Sequence, residues 1–161
     1  MNPQFNSFKS IITNPFKYRL FLLNKLPMGF ISGLKVVELN EAGASVAVKL
    51  KWVNQNPFRS IYFAVLGMAA ELSTGVLAFA QVYQRNPAVS MLVVKLNAEF
   101  YKKAVGKITF VCNDGALINA AVEEAISTKE GIVVECTSIG MNEQNEAVAK
   151  FILTWSFKAK S

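Results

Sequence analysis

Hydrophobic and polar positions change their period several times along this chain, and the changes mark out its elements. Phe5 to Lys25 reads as one or two short helices, with Asn14 at the N-cap and Pro15 in the favoured first helical position. Pro27, Met28 and Gly29 end that region. Gly33 to Leu39 and Ala44 to Val53 read as two strands joined by the turn residues Asn40 to Gly43. In the second, Val46, Val48, Leu50 and Trp52 alternate with Ala47, Lys49 and Lys51, predicting one buried and one wet face. A long apolar run, Ser60 to Gln84, has the composition of a buried helix. After Asn86-Pro87 alternation returns over Val89 to Lys103, with Leu92, Val94, Leu96, Ala98 and Phe100 expected inward and Lys95, Asn97, Glu99, Tyr101 and Lys103 outward. Val105 to Cys112 is expected to pair with that strand through a tight connection at Ala104 to Gly106. Asp114 stands where it can cap a short helix, Ala116 to Ser127, with Glu123 and Glu124 on its exposed side. Gly131 to Ile139 and Ala147 to Phe157 are the last strands, the latter sending Phe151, Leu153, Trp155 and Phe157 to one face. One long apolar helix among six alternating strands predicts an α+β fold, a curved antiparallel sheet wrapped around that helix. The 161 residues are read as a single domain, with 1–27 an N-terminal helical extension and 60–84 the central helix.

Within the 25 residues between Arg59 and Arg85, Glu71 carries the only charge. At helical spacing Ser60, Ala64, Gly67, Glu71, Thr74, Gly75 and Ala78 share one stripe, so the acid sits among small side chains. An unpaired carboxylate in an apolar setting costs several kcal/mol or takes up a proton. Three roles fit such a group: a structural acceptor for backbone amides or hydroxyls, a general base or polar anchor in an apolar pocket, or a rare polar residue inside a membrane span. The run is long enough for a span, but the acid at its middle, Ser73, Thr74, Gln81 and Gln84, and the strands on either side count against one.

The chain contains no histidine. This excludes Ser-His-Asp and Cys-His machinery and histidine-bearing zinc sites, and no metal is expected; carboxylate chemistry, or no chemistry, remains. Cys112 and Cys136 lie in apolar strand-like runs and are expected to be buried free thiols. The hydrophobic content, 52%, is high for a soluble monomer and points to a partner subunit. No secretory signal is apparent in MNPQFNSFKS, so a cytoplasmic location is expected. Lys and Arg number 17 against 11 acids, a net +6. The clusters Lys102, Lys103 and Lys107, Lys49 with Lys51, and Lys158 with Lys160 fit either a phosphate-bearing partner or a solvated basic face. Nucleic acid is not expected, since the cations are scattered and lack an aromatic RNA-binding signature.

The element order after residue 28, and the segment NPFRSIYFAVLGMAAE from Asn56 to Glu71, resemble the hot-dog fold, specifically thioesterases similar to the phenylacetyl-CoA group. Those proteins carry an Asn, a Phe-Gly pair, a His-Gly-Gly turn and, nine residues after the His, an acid. Asn56, Phe58 and Glu71 match the Asn, the Phe and the acid, whereas Arg59 replaces the Gly, Tyr62 the His, and Phe63-Ala64 the Gly-Gly. The pattern is closer to an uncharacterised thioesterase-like subgroup.

The resemblance implies an acyl-CoA or acyl-carrier thioester hydrolase with Glu71 as general base or nucleophile. Asn56 would orient water or substrate, and Tyr62 would donate to the thioester in place of the His. The amides of Phe63 and Ala64 at the helix N-terminus would form an oxyanion hole. Gly67, Thr74, Gly75 and Ala78 would leave room for the acyl chain, and Arg59, Lys102, Lys103 and Lys107 would meet coenzyme A phosphates. Coenzyme A enters as part of the substrate, no separate cofactor is implied, and the partner is a second copy of the chain in a homodimer or tetramer with the site at the subunit interface. The alternative is a non-catalytic acyl- or lipid-binding module, favoured by the altered His-Gly-Gly turn.

Overall fold

The computed structural model describes residues 1–160. Three helices open the chain: α1 (Phe5–Thr13), α2 (Pro15–Lys25) and α3 (Pro27–Ser32). The helical extension thus runs on to residue 32, and Pro27, expected to end it, instead opens a third helix in whose first turn a missing N–H costs nothing. The side chain of Asn14 caps α2 by accepting from the amides of Phe16 and Lys17, with Pro15 in the first turn where a missing N–H costs nothing. Gly33 closes α3 at φ 76°, a left-handed conformation that glycine adopts without strain. Phe5, Phe8 and Ile12 bury one face of α1, and Tyr18 and Leu22 one face of α2.

The remaining elements are β1 (Lys35–Leu39), β2 (Ala44–Lys49), a 3-10 turn (Trp52–Asn54), α4 (Phe63–Val82), β3 (Val89–Phe100), β4 (Lys107–Cys112), α5 (Gly115–Thr128), β5 (Ile132–Met141) and β6 (Ala147–Ala159). The strands form one antiparallel sheet in the order β1-β2-β4-β5-β6-β3. Helix α4 touches every strand, so the sheet wraps around it, and Phe151, Leu153, Trp155 and Phe157 of β6 are buried against it as their alternation predicts. Helix α4 is long and apolar enough to cross a membrane, yet most of it is buried inside the domain, its apolar surface covered by sheet and helices. Cys112 and Cys136 are buried free thiols.

Four further local expectations are corrected. Helix α4 starts at Phe63 rather than Ser60, because the amide of Ile61 bonds the carbonyl of Ala104 and Ile61 forms a bridge with Gln55, which holds the chain extended up to the N-cap Tyr62. It ends at Val82, with Tyr83 already out of helical geometry. Strand β2 stops at Lys49; the Asn54 side chain accepts from the Lys51 amide and donates to the carbonyls of Ser32 and Lys49, curling the chain into a turn. Trp52 is thereby 85% exposed instead of buried.

The third and fourth corrections concern β3. It pairs with β6 and lies at the sheet edge, not beside β4. The connection that looks like a hairpin turn is a crossing: Ala104 is buried with its carbonyl on Ile61, and the Gly106 carbonyl takes the amide of Leu50. A bulge between Val93 and Lys95 then shifts the register. Met91 and Val93, opposite Phe157 and Trp155, face α4 before it; Leu96, Ala98 and Phe100, opposite Leu153, Phe151 and Ala149, face α4 after it. Leu92, opposite the outward Ser156, is exposed, and Val94 at the bulge is exposed too.

Candidate active site

Glu71 lies in the third turn of α4 and is half-buried. Among the described residues nothing donates a hydrogen bond to its carboxylate and no cation pairs with it. Burial among apolar groups pushes its pKa above the ordinary carboxylate value, since the charged form loses hydration without gaining a partner. The group is held ready to accept a proton.

Glu71 lines three adjoining cavities. One, about 430 Å³, runs from Glu71 along Met68, Gly67, Ala64 and Phe63 to the N-terminus of α4, walled by Leu96, Ala98 and Phe100 of β3 and by Phe151. A second, about 280 Å³, lies between α4 and the N-terminal helices, with Phe8, Ile12, Tyr18, Phe21, Phe79 and Met91 around Glu71 and Gly75. A third, about 250 Å³, opens beneath α3 beside Lys25, Pro27 and Met28. The carboxylate lies directly over Gly75, where an added Cβ would meet Glu71 Oε1 at 2.9 Å and Trp155 at 3.3 Å. Glycine there leaves the acid its place.

At the start of α4 the amides of Val65 and Leu66 both bond the Tyr62 carbonyl, at 2.9 and 3.3 Å. Those of Phe63 and Ala64 have no acceptor among the described residues, and both residues line the same groove as Glu71. A helix N-terminus with two free donors is suited to a developing negative charge. The structure thus brings together Glu71, Phe63, Ala64, Gly67 and, on the far side of the acid, Gly75.

The other predicted site residues are placed elsewhere. Thr74 is fully buried, donating to the Glu71 carbonyl and accepting from Trp155 Nε1, each at 3.0 Å, so its hydroxyl anchors β6 to α4 and faces no cavity. Ala78 is likewise sealed in the core. Asn56 closes its own loop: its Oδ1 accepts from the amides of Phe58 and Ser60 and its Nδ2 donates to Ser60 Oγ. Tyr62 is half-exposed with its ring against Phe63, centroids 4.9 Å apart. Arg59 occupies a left-handed turn position at φ 58° on the surface of that loop. Lys102 pairs with Glu146 at 2.6 Å, while Lys103 and Lys107 are exposed. The bond from Ile61 to Ala104 sets this lysine-bearing segment beside the entry to α4.

The roof over the second cavity escaped the sequence reading. Phe8 and Ile12 sit one turn apart on the buried face of α1, and Tyr18 joins them from α2 with its hydroxyl on the Leu34 carbonyl at 3.3 Å. Burial pushes that phenol's pKa up to about 12, so it stays protonated and serves as wall and donor. The helical spacing of Phe5, Phe8 and Ile12 is a usable signal that α1 has a buried face.

No protein-family model matches the chain. No curated protein matches it either. Solved structures do resemble it. A Pseudomonas aeruginosa protein of unknown function described as a "Probable Thioesterase" superposes with a TM-score of 0.76 at 20% identity, covering 93% of this chain and 99% of its own. A thioesterase from Haemophilus influenzae gives 0.63 at 14% identity, covering 87% and 88%. The E. coli PaaI protein from the phenylacetic acid degradation operon gives 0.63 at 12% identity, covering 94% and 96%. Likeness at such identities is a likeness of fold, and together with the sheet order and the central helix it establishes the hot-dog fold for this chain.

Proposed function

We propose that this protein hydrolyses acyl thioesters, with Glu71 as the general base. The observation that carries the proposal is the unbonded, charge-averse carboxylate of Glu71, set between an apolar cavity and a groove that ends in two free helix amides. The thioester carbonyl oxygen lies at the Phe63 and Ala64 amides and the acyl group extends past Glu71 over Gly75 into the cavity under α1 and α2. Glu71 takes a proton from water, the water oxygen bonds the carbonyl carbon, and the amides hold the oxyanion. The carbon–sulfur bond then breaks, and the proton passes from Glu71 to the departing thiolate. A raised pKa makes Glu71 a stronger base than an exposed carboxylate.

The carrier is coenzyme A or an acyl-carrier thiol, and the surface cations beside the α4 entry, Arg59, Lys103 and Lys107, are its phosphate partners. A second copy of the chain completes the groove. Edge strand β3 offers an unpaired backbone along its length and exposes Leu92, Val94, Leu96 and Phe100, and three of its residues already wall the groove. The test is thiol release from a panel of acyl-CoAs, acetyl to long-chain, by wild type and Glu71→Gln. Turnover that survives the substitution would refute the proposed base. A second reading, acyl binding without turnover, draws on Asn56 being occupied by its own loop. It predicts acyl-CoA binding without thiol release.

A further inference from the structure

Charge is shared out unevenly along this chain. Residues 1–37 carry Lys9, Lys17, Arg19, Lys25 and Lys35 and no acid, while residues 38–161 set 12 cations against 11 acids, so five of the six net positive charges lie in the N-terminal helices and the start of β1. The same region exposes large apolar side chains. On α2, Phe16, Leu20 and Leu23 follow one another at helical spacing on the face turned away from the buried Tyr18 and Leu22, and Phe16 is 72% exposed. Met28 and Ile31 of α3 are exposed beside them, and so is Trp52 on the 3-10 turn that packs against α3. Between α2 and β1 a cleft of about 480 Å³ is bordered by Arg19, Lys35 and Lys51, and no carboxylate lines it.

We propose that this face docks on an anionic lipid bilayer. Phe16, Leu20, Leu23, Met28, Ile31 and Trp52 enter the boundary between headgroups and acyl chains, and the cleft cations hold lipid phosphates. A surface that is basic and apolar together is what an anionic membrane selects, because each term alone binds weakly and the two add. Each Lys or Arg near such a surface strengthens binding about fivefold. A second copy of this chain is the poorer occupant, since it would set its own Arg19, Lys35 and Lys51 against the same three cations. The inference stands on exposure and charge alone and does not depend on the hydrolase proposal.

Co-flotation of the full chain with phosphatidylcholine vesicles, with and without phosphatidylglycerol, tests it. The protein floats with the anionic vesicles, stays behind with the neutral ones, and is released by salt at about 1 M, where screening is nearly complete. Leu20→Ser with Leu23→Ser, and separately Arg19→Glu, each lower the partition constant by about tenfold or more while circular dichroism and melting stay as in wild type. Equal flotation with both vesicle types would overturn the proposal, as would unaltered binding of the double variant. A change in the double variant's mass in solution would make the face a self-interface instead. Release by inorganic phosphate at constant ionic strength would make the cleft a site for a free phosphate and would equally overturn docking.

Discussion

Two half-buried carboxylates in this fold, Asp114 and Glu71, differ in what touches them. Asp114 opens α5, yet its side chain leaves the helix N-terminus uncapped; it accepts the amide of Thr137 at 2.7 Å and the thiol of Cys112 at 3.7 Å. It fastens α5 to β5. Glu71 fastens nothing, and its neighbourhood is empty space on three sides. An acid kept for structure has its oxygens occupied by fixed donors; an acid available for chemistry has them free. The distinction lies in the surroundings and not in residue type, and it assigns the two groups opposite responses to substitution.

The largest effect should come from Glu71→Gln. Turnover of the best acyl-CoA falls by about 10²- to 10⁴-fold, the usual contribution of a positioned base, while the melting temperature at neutral pH rises because a poorly hydrated charge is gone. Asp114→Ala should reverse that pattern. Stability in urea drops by about 1–2 kcal/mol, as a part-buried amide loses its acceptor, and turnover per folded molecule is unchanged; a loss of turnover alone would break the comparison.

Gly75→Ala sharpens it. The new methyl meets Glu71 Oε1 at 2.9 Å, so the carboxylate must move. Turnover falls about tenfold, a shift of about 1.4 kcal/mol in the barrier. Stability changes little, since a helix-propensity gain of about 1 kcal/mol offsets a comparable crowding cost.

The smallest effect is a pH dependence. Glu71 has a raised folded-state pKa, so across the window from its ordinary carboxylate value up to that raised value the native state binds more protons than the unfolded one. Its favourable contribution is therefore full at low pH and lost as pH rises through the folded pKa. The stability advantage of Glu71→Gln over wild type should be present at neutral pH and vanish on acidification below the ordinary carboxylate range, as followed by urea midpoints.

Glu71 was legible because a solitary charge in an apolar run is a local property, and the sheet-around-helix arrangement because period-two and period-3.6 patterns are local too. What the pattern could not convey was set at a distance. The Thr74 hydroxyl looks like a pocket lining until Trp155, 81 residues away, donates to it. Trp52 continues the β2 alternation on paper, yet the Asn54 side chain, accepting from the Lys51 amide and donating to the Ser32 and Lys49 carbonyls, ends the strand first. The segment Ala104 to Gly106 has the composition of a tight turn, but its carbonyls are committed to Ile61 and Leu50. The roof of the cavity required knowing which element the buried face of α1 covers.

The bulge at Val94 gives β3 one link of slack. Trp155 and Thr154 are consecutive on β6, while their partners Val93 and Lys95 are not. Removing Val94, or a neighbour whose place Val94 can take, lets the strand straighten with every downstream side chain on the face it already has. An added residue has no such reserve; unless a second bulge forms, it turns Lys95, Asn97 and Glu99 toward α4 and Leu96, Ala98 and Phe100 away from it. The groove beside Glu71 can therefore survive a shorter β3 more readily than a longer one.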